Sequence, residues 1–329
     1  MCRLAIVFAL LYSSFSMAES PQTAIPEDTV EEVLVIGEQP GPGLWKVSKD
    51  EHVLWIMGTL KPLPKKMTWH SRQVEEILAQ SQEYITPPAV SFRVGKWDKV
   101  KLLPSLIGIR NNPDGKKLEE VVSPELYQRW LVLKEKYIGR DGTVEKWRPI
   151  FAANELYEKA VAKSGLTMDT NIMDVLRKVA KDNEVRKAGP GTLTTLENPK
   201  ELVKKFKKSP LDDIECFSKT IERLETDLEA MKSRANAWAT GDVAALRQLT
   251  YVDNDEACRS AAYNAALAEE QGLQDIPERK REYWLAEAEL SLAKHPSTFS
   301  ILPIAELLKP DGYLAALRAK GYKIEAPDD

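Results

Sequence analysis

The segment Gly43-Leu-Trp-Lys-Val-Ser-Lys-Asp-Glu-His-Val-Leu-Trp-Ile-Met-Gly-Thr59 constrains this chain more than any other. Two runs rich in Trp, Val, Ile and Leu flank a polar Lys49-Asp50-Glu51 turn, which is the pattern of a β-hairpin. In the first run Trp45 and Val47 alternate with Lys46 and Ser48, so one face is covered and the other is wet. The second run, Val53 to Met57, is apolar on both faces and reads as a buried central strand. Gly58-Thr59 ends it, and the missing side chain lets backbone or ligand come close.

The remaining pattern surrounds that hairpin with helices. Pro62-Leu-Pro64 marks a loop, Thr68 is placed to cap a helix carrying Val74, Ile77 and Leu78 inward, and Tyr84-Ile85 forms a short strand stopped by Pro87-Pro88. Ser123-Pro124 opens a helical region with helices expected at about 124–138, 144–163 and 171–182. One long helix is expected from Leu211 to Thr240, because Ile214, Phe217, Ile221, Leu224, Leu228, Met231, Ala235 and Trp238 recur at three- and four-residue steps. Gly241 ends it and Asp242 caps the next, with further helices near 254–270 and 277–294. Strand pattern returns at Thr298–Leu302 and at Tyr322–Glu325, around a helix at 312–320. The expected fold is α/β: a mixed central sheet formed by the N- and C-terminal parts of the chain, with a large helical middle at about 123–295.

The N-terminus has the form of a secretory signal: Arg3, an apolar run from Leu4 to Leu11, and Ser16-Met17-Ala18 as cleavage site. Residues 1–18 are read as signal peptide, 19–42 as a flexible tether with an edge strand at Val33–Ile36, and 43–329 as one domain. The expected location is periplasmic or secreted, with no transmembrane segment. Lys and Arg number 46 against 50 for Asp and Glu, a balance that argues against general nucleic-acid binding. The five lysines of Lys200–Lys208 read first as a solvated face, and second as a contact for an anionic surface. Cys216 and Cys258 remain after signal removal; they form either a disulfide, suited to an oxidising compartment, or two buried thiols.

The Leu-Trp-Lys-Val hairpin running into Gly58-Thr59-Leu60-Lys61 resembles the opening of the TraB/GumN family, related to the Tiki-type metalloproteases. Ala235-Asn-Ala-Trp238 with Gly241-Asp242, and the order of strand, helix and Gly-Tyr-strand near the C-terminus, extend the resemblance over most of the chain. It implies two Gly-x-x-His motifs whose histidines meet in space and hold a divalent metal together with an acidic residue at the end of the strand after the first helix. Here Lys61 stands at the first histidine position, Pro303 and Glu306 stand at the second motif's glycine and histidine, and Thr86-Pro87 ends the strand without a carboxylate.

A metal needs deprotonated ligands, usually three or more, and an ammonium repels it. Of the chain's three histidines, His52 lies in the hairpin turn, His295 at a helix end, and only His70 is near enough to serve as surrogate ligand. The expectation is therefore a protein without metal or cofactor, with an ion pair of Lys61 and Glu306 tethering the two motif loops. Its work would be binding, to a peptide, a glycan or an envelope partner. The alternative is a metal-dependent peptidase or other hydrolase with a rearranged site, using Glu306 and His70 or Lys61 as base. The resemblance also implies a Leu-Glu pair, matched here by Leu196-Glu197, with Glu197 as a further acid/base candidate.

Overall fold

The computed structural model describes residues 32–93, 102–189, 192–195, 198–208, 211–249, 257–258, 261 and 275–327. The signal segment, the tether as far as residue 31, most of the helix expected near 254–270, and Glu197 lie outside the described residues. In chain order the strands are β1 (Gly37–Gln39), β2 (Leu44–Lys49), β3 (His52–Thr59), β4 (Leu63–Pro64), β5 (Met67–Trp69), β6 (Glu83–Ile85), β7 (Val90–Arg93), β8 (Leu166–Thr167), β9 (Arg186–Ala188), β10 (Thr192–Thr195), β11 (Ser297–Pro303) and β12 (Lys323–Glu325). The helices are α1 (Arg72–Gln80), α2 (Pro124–Tyr137), α3 (Pro149–Lys163), α4 (Ile172–Asp182), α5 (Pro199–Lys208), α6 (Ile214–Thr226), α7 (Leu228–Thr240), α8 (Val243–Gln248), α9 (Ile276–Lys294), α10 (Ile304–Leu308) and α11 (Tyr313–Ala319). No helix among the described residues is long and apolar enough to cross a membrane.

The main sheet has six strands in the order β12-β2-β3-β11-β6-β9. β12, β2 and β3 pair antiparallel, and β3, β11, β6 and β9 run parallel. The hairpin forms around Lys49–His52 with β3 central, and Leu54, Ile56 and Met57 are fully buried, as its apolar faces require. Both chain ends supply the sheet, and one further strand comes from the helical middle: β9 completes the edge beside β6. Its sequence, Arg186-Lys-Ala188, carries no strand pattern, so pairing rather than propensity extends it.

Several local signals act as expected. Ser123 Oγ accepts from Leu126 N at 3.3 Å, Asp242 Oδ1 accepts from Ala245 N at 2.8 Å, and Gly241 turns left-handed at φ 77°. A side chain at Gly241 would place its Cβ 2.9 Å from the Gly41 carbonyl oxygen.

Other expectations are corrected. Ser71, not Thr68, caps α1, accepting from Val74 N, while Thr68 lies in β5, where the buried Trp69 holds the chain extended. The stripe from Ile214 to Trp238 is two helices, broken at Asp227, whose buried carboxylate accepts from Arg234 Nη1 at 2.9 Å and pairs with Arg223. The described part of the tether is docked: Val35 N donates to Asn236 Oδ1 at 2.9 Å, Asn236 Nδ2 donates to Val33 O, and Gly41 N donates to Ala239 O. The strand there is Gly37–Gln39 on β5, while Val33 and Ile36 are exposed. The disulfide expected of Cys216 and Cys258 does form, with Cα atoms 4.5 Å apart.

Candidate functional site

The four parallel strands define two ends of the sheet. Their C-terminal ends form the edge where open α/β sheets bind ligands. Register brings the two motif regions together there: Gly58 lies opposite Leu302 and Thr59 opposite Pro303. Segments more than 240 residues apart thus meet at one place.

The chemistry at that edge is turned inward. The space beside Gly58 is filled by core side chains, since a Cβ would lie 2.9 Å from Ile304 Cγ1 and 3.0 Å from Trp45 Cζ3. Its carbonyl accepts from Trp238 Nε1 at 2.8 Å, which docks α7 on the strand end. Packing, rather than ligand approach, accounts for this glycine. Thr59 Oγ1 donates to Leu302 O at 3.2 Å. Thr86, at the end of β6, donates its hydroxyl to Gly189 O and so joins β6 to the chain leaving β9.

The expected pair of Lys61 with Glu306 does not form. Glu306 Oε1 accepts from Lys309 Nζ at 2.8 Å, one helical turn away. The same carboxylate faces Tyr313, whose phenol is pushed up to about 12, first by burial and then by the charge of Glu306. Lys61 is exposed and makes no ion pair among the described residues. An i,i+3 partner is available to Glu306 at little entropic cost, whereas Lys61 would have to leave solvent to reach it. His70 is also exposed, between β5 and the cap of α1, and its backbone N–H donates to Gln39 O. An ammonium, a carboxylate already paired, and two hydroxyls donated to carbonyls do not fit the donor set a divalent metal needs.

The opposite end of the same strands carries the denser polar chemistry, and the sequence reading missed it. Glu83 opens β6 and is buried. Arg186, its register partner at the start of β9, pairs with Oε1, and Ser291 Oγ near the end of α9 donates to Oε2. His295 Nε2 lies 3.9 Å from Oε2 and 3.4 Å from Arg186 Nη2. Because a guanidinium only donates, this contact is a hydrogen bond when Nε2 is the unprotonated acceptor. Burial lowers the His295 pKa first; Arg186, Lys294 and His52 add to this, and Glu83 opposes them. His52 itself bonds through Nδ1 to Leu292 O. Two of the three histidines therefore brace this end, and His295 does more than close a helix. The legible signal was a carboxylate opening a strand that is otherwise apolar.

A cavity of about 290 Å³ lies in the helical part, lined among others by Asn112, Asp114, Lys116, Arg148, Lys208 and Asp213. Asp213 accepts from Ile150 N at 2.9 Å, and burial raises its pKa against the pull of Arg148. Arg148 donates to Phe206 O at 2.7 Å and lies over the Phe206 ring. Arg148 thus ties the start of α3 to α5, and Asp213 ties it to the start of α6.

The profile of the TraB/PrgY/gumN family matches residues 43–326. No curated protein and no solved structure matches the chain.

Proposed function

This chain belongs to the TraB/PrgY/gumN family, and from that premise we propose that it is an exported member that acts by binding and has lost metallopeptidase chemistry. One observation carries the reading: at the edge where the two motif regions meet, Glu306 is bound by Lys309 while Lys61 points its charge to solvent. Export is supported by the Arg3 to Ala18 pattern and by the Cys216–Cys258 bond, a linkage that persists in oxidising compartments. The periplasm is the proposed location, and a peptide, a glycan or an envelope protein the proposed class of partner.

Metal analysis of the purified mature protein, together with peptide hydrolysis assayed with and without added zinc, manganese or cobalt, tests the proposal. The expected result is substoichiometric metal and no metal-stimulated cleavage. Stoichiometric metal that is lost in His70→Ala or Glu306→Ala, accompanied by cleavage, overturns it in favour of a rearranged hydrolase site.

A further inference from the structure

The strongest unassigned feature is a surface in the helical part of the chain, where apolar side chains stand in solvent beside a lysine-rich helix. The short helical turn Leu103–Leu106 packs against α5. Leu103 is 64%, Leu106 37% and Ile107 77% exposed, large values for three apolar side chains so close in sequence. Lys207 Nζ donates to Ile107 O, which fixes this knuckle to the helix.

α5 has two unlike faces. Phe206 turns inward, its ring 6.4 Å from that of Phe151 and under the guanidinium of Arg148. Lys200, Lys204, Lys205 and Lys208 are exposed, and Glu201 supplies the helix's acidic side chain, 3.7 Å from Lys204. A chain whose net charge is −4 thus concentrates positive charge on one short helix, next to protruding leucine and isoleucine.

We propose that this face docks on an anionic lipid surface. Leu103, Leu106 and Ile107 would enter the boundary between headgroups and acyl chains while the lysines of α5 pair with lipid phosphates. Apolar insertion combined with basic residues is the combination that gives reversible interfacial binding, since neither contribution alone holds a protein at a membrane. The charge selects the partner: exposed apolar residues alone would suit a second copy of the chain, but two copies would bring their lysine helices together. The neighbouring cavity is a poorer anion site, because Asp114 and Asp213 line it with Lys116, Arg148 and Lys208. The proposal does not depend on the loss of the metal centre.

Co-sedimentation of the full mature chain with vesicles tests it, comparing phosphatidylcholine alone with phosphatidylcholine mixed with phosphatidylglycerol. Binding is expected to the anionic vesicles only and to weaken as salt is raised. Each lysine near such a surface is worth about fivefold in partitioning, so Lys204→Glu with Lys208→Glu should reduce binding at least about 25-fold. Leu103→Ser with Ile107→Ser should also reduce it, and since both positions are exposed, circular dichroism should be unchanged. The unmodified protein's salt and lipid dependence stands as a test even if a variant fails to fold. Absence of binding, equal binding to both vesicle types, or apolar variants that dissociate a dimer while leaving vesicle binding intact would each overturn the proposal.

Discussion

The C-terminal ends of the parallel strands carry contacts that stop at a carbonyl or at a side chain one turn away: Thr59 to Leu302 O, Thr86 to Gly189 O, Glu306 to Lys309. At their N-terminal ends, a single buried carboxylate gathers Arg186 from β9, Ser291 from α9 and His295 from the approach to β11. The edge where fold and family resemblance direct attention has polar groups that are satisfied cheaply or exposed. The other edge commits a charge to the interior, and such a charge is tolerated only when each partner stays in place. The comparison separates an edge held by short local contacts from a buried clamp, and the two are expected to differ in how they respond to substitution.

The largest expected effect tests the clamp. Arg186→Ala leaves the buried Glu83 without its cation and should cost about 3 kcal/mol in chemical denaturation, the low end for a buried pair because Arg186 is itself half exposed and Ser291 still donates to the carboxylate. A loss under about 1 kcal/mol would show that the cluster holds little. The disulfide sets a scale outside both ends: Cys216→Ser should lower stability by about 2–4 kcal/mol, read as a shift in denaturation midpoint against the oxidised protein. Next comes Trp238→Phe, which keeps a ring but strands the buried Gly58 carbonyl, for about 1–3 kcal/mol.

At the motif edge the effects should nearly vanish. Lys61→Ala is expected to change stability by no more than about 0.5 kcal/mol, and a larger loss would restore the idea that this lysine tethers the loops.

The smallest effect depends on pH. His295 has a folded pKa below its ordinary value, so above about 6.5 both folded and unfolded chains hold it neutral and its stabilising contribution is complete. As pH falls below that value the unfolded chain takes the proton first, and stability declines towards the depressed folded pKa. His295→Gln should flatten that part of the curve, and an unchanged slope would remove the ring from the account.

Much of the fold was legible because its signals are local. Ser123, Gly241 and Asp242 mark helix ends through their own backbone and near neighbours, and the hairpin declares its burial through two apolar faces. The break at Asp227 was not legible, because the apolar stripe continues across it and only the buried contact with Arg234 and Arg223 explains the bend. The candidate edge was half legible. Motif flanks placed Gly58–Lys61 near Pro303–Glu306, but opposite charges at matching positions suggested a pair that the nearer Lys309 prevents.

Residue order by itself determined the central hairpin, the α/β class and the helical middle, since period, caps and residue identity are properties of short segments. Tertiary structure alone decided that β9 closes the sheet, that residues 32–42 lie against α7, and that Glu83 draws Arg186, Ser291 and His295 together. Those outcomes depend on which distant groups arrive within hydrogen-bonding reach, and a buried charge selects among them by the cost of being left alone.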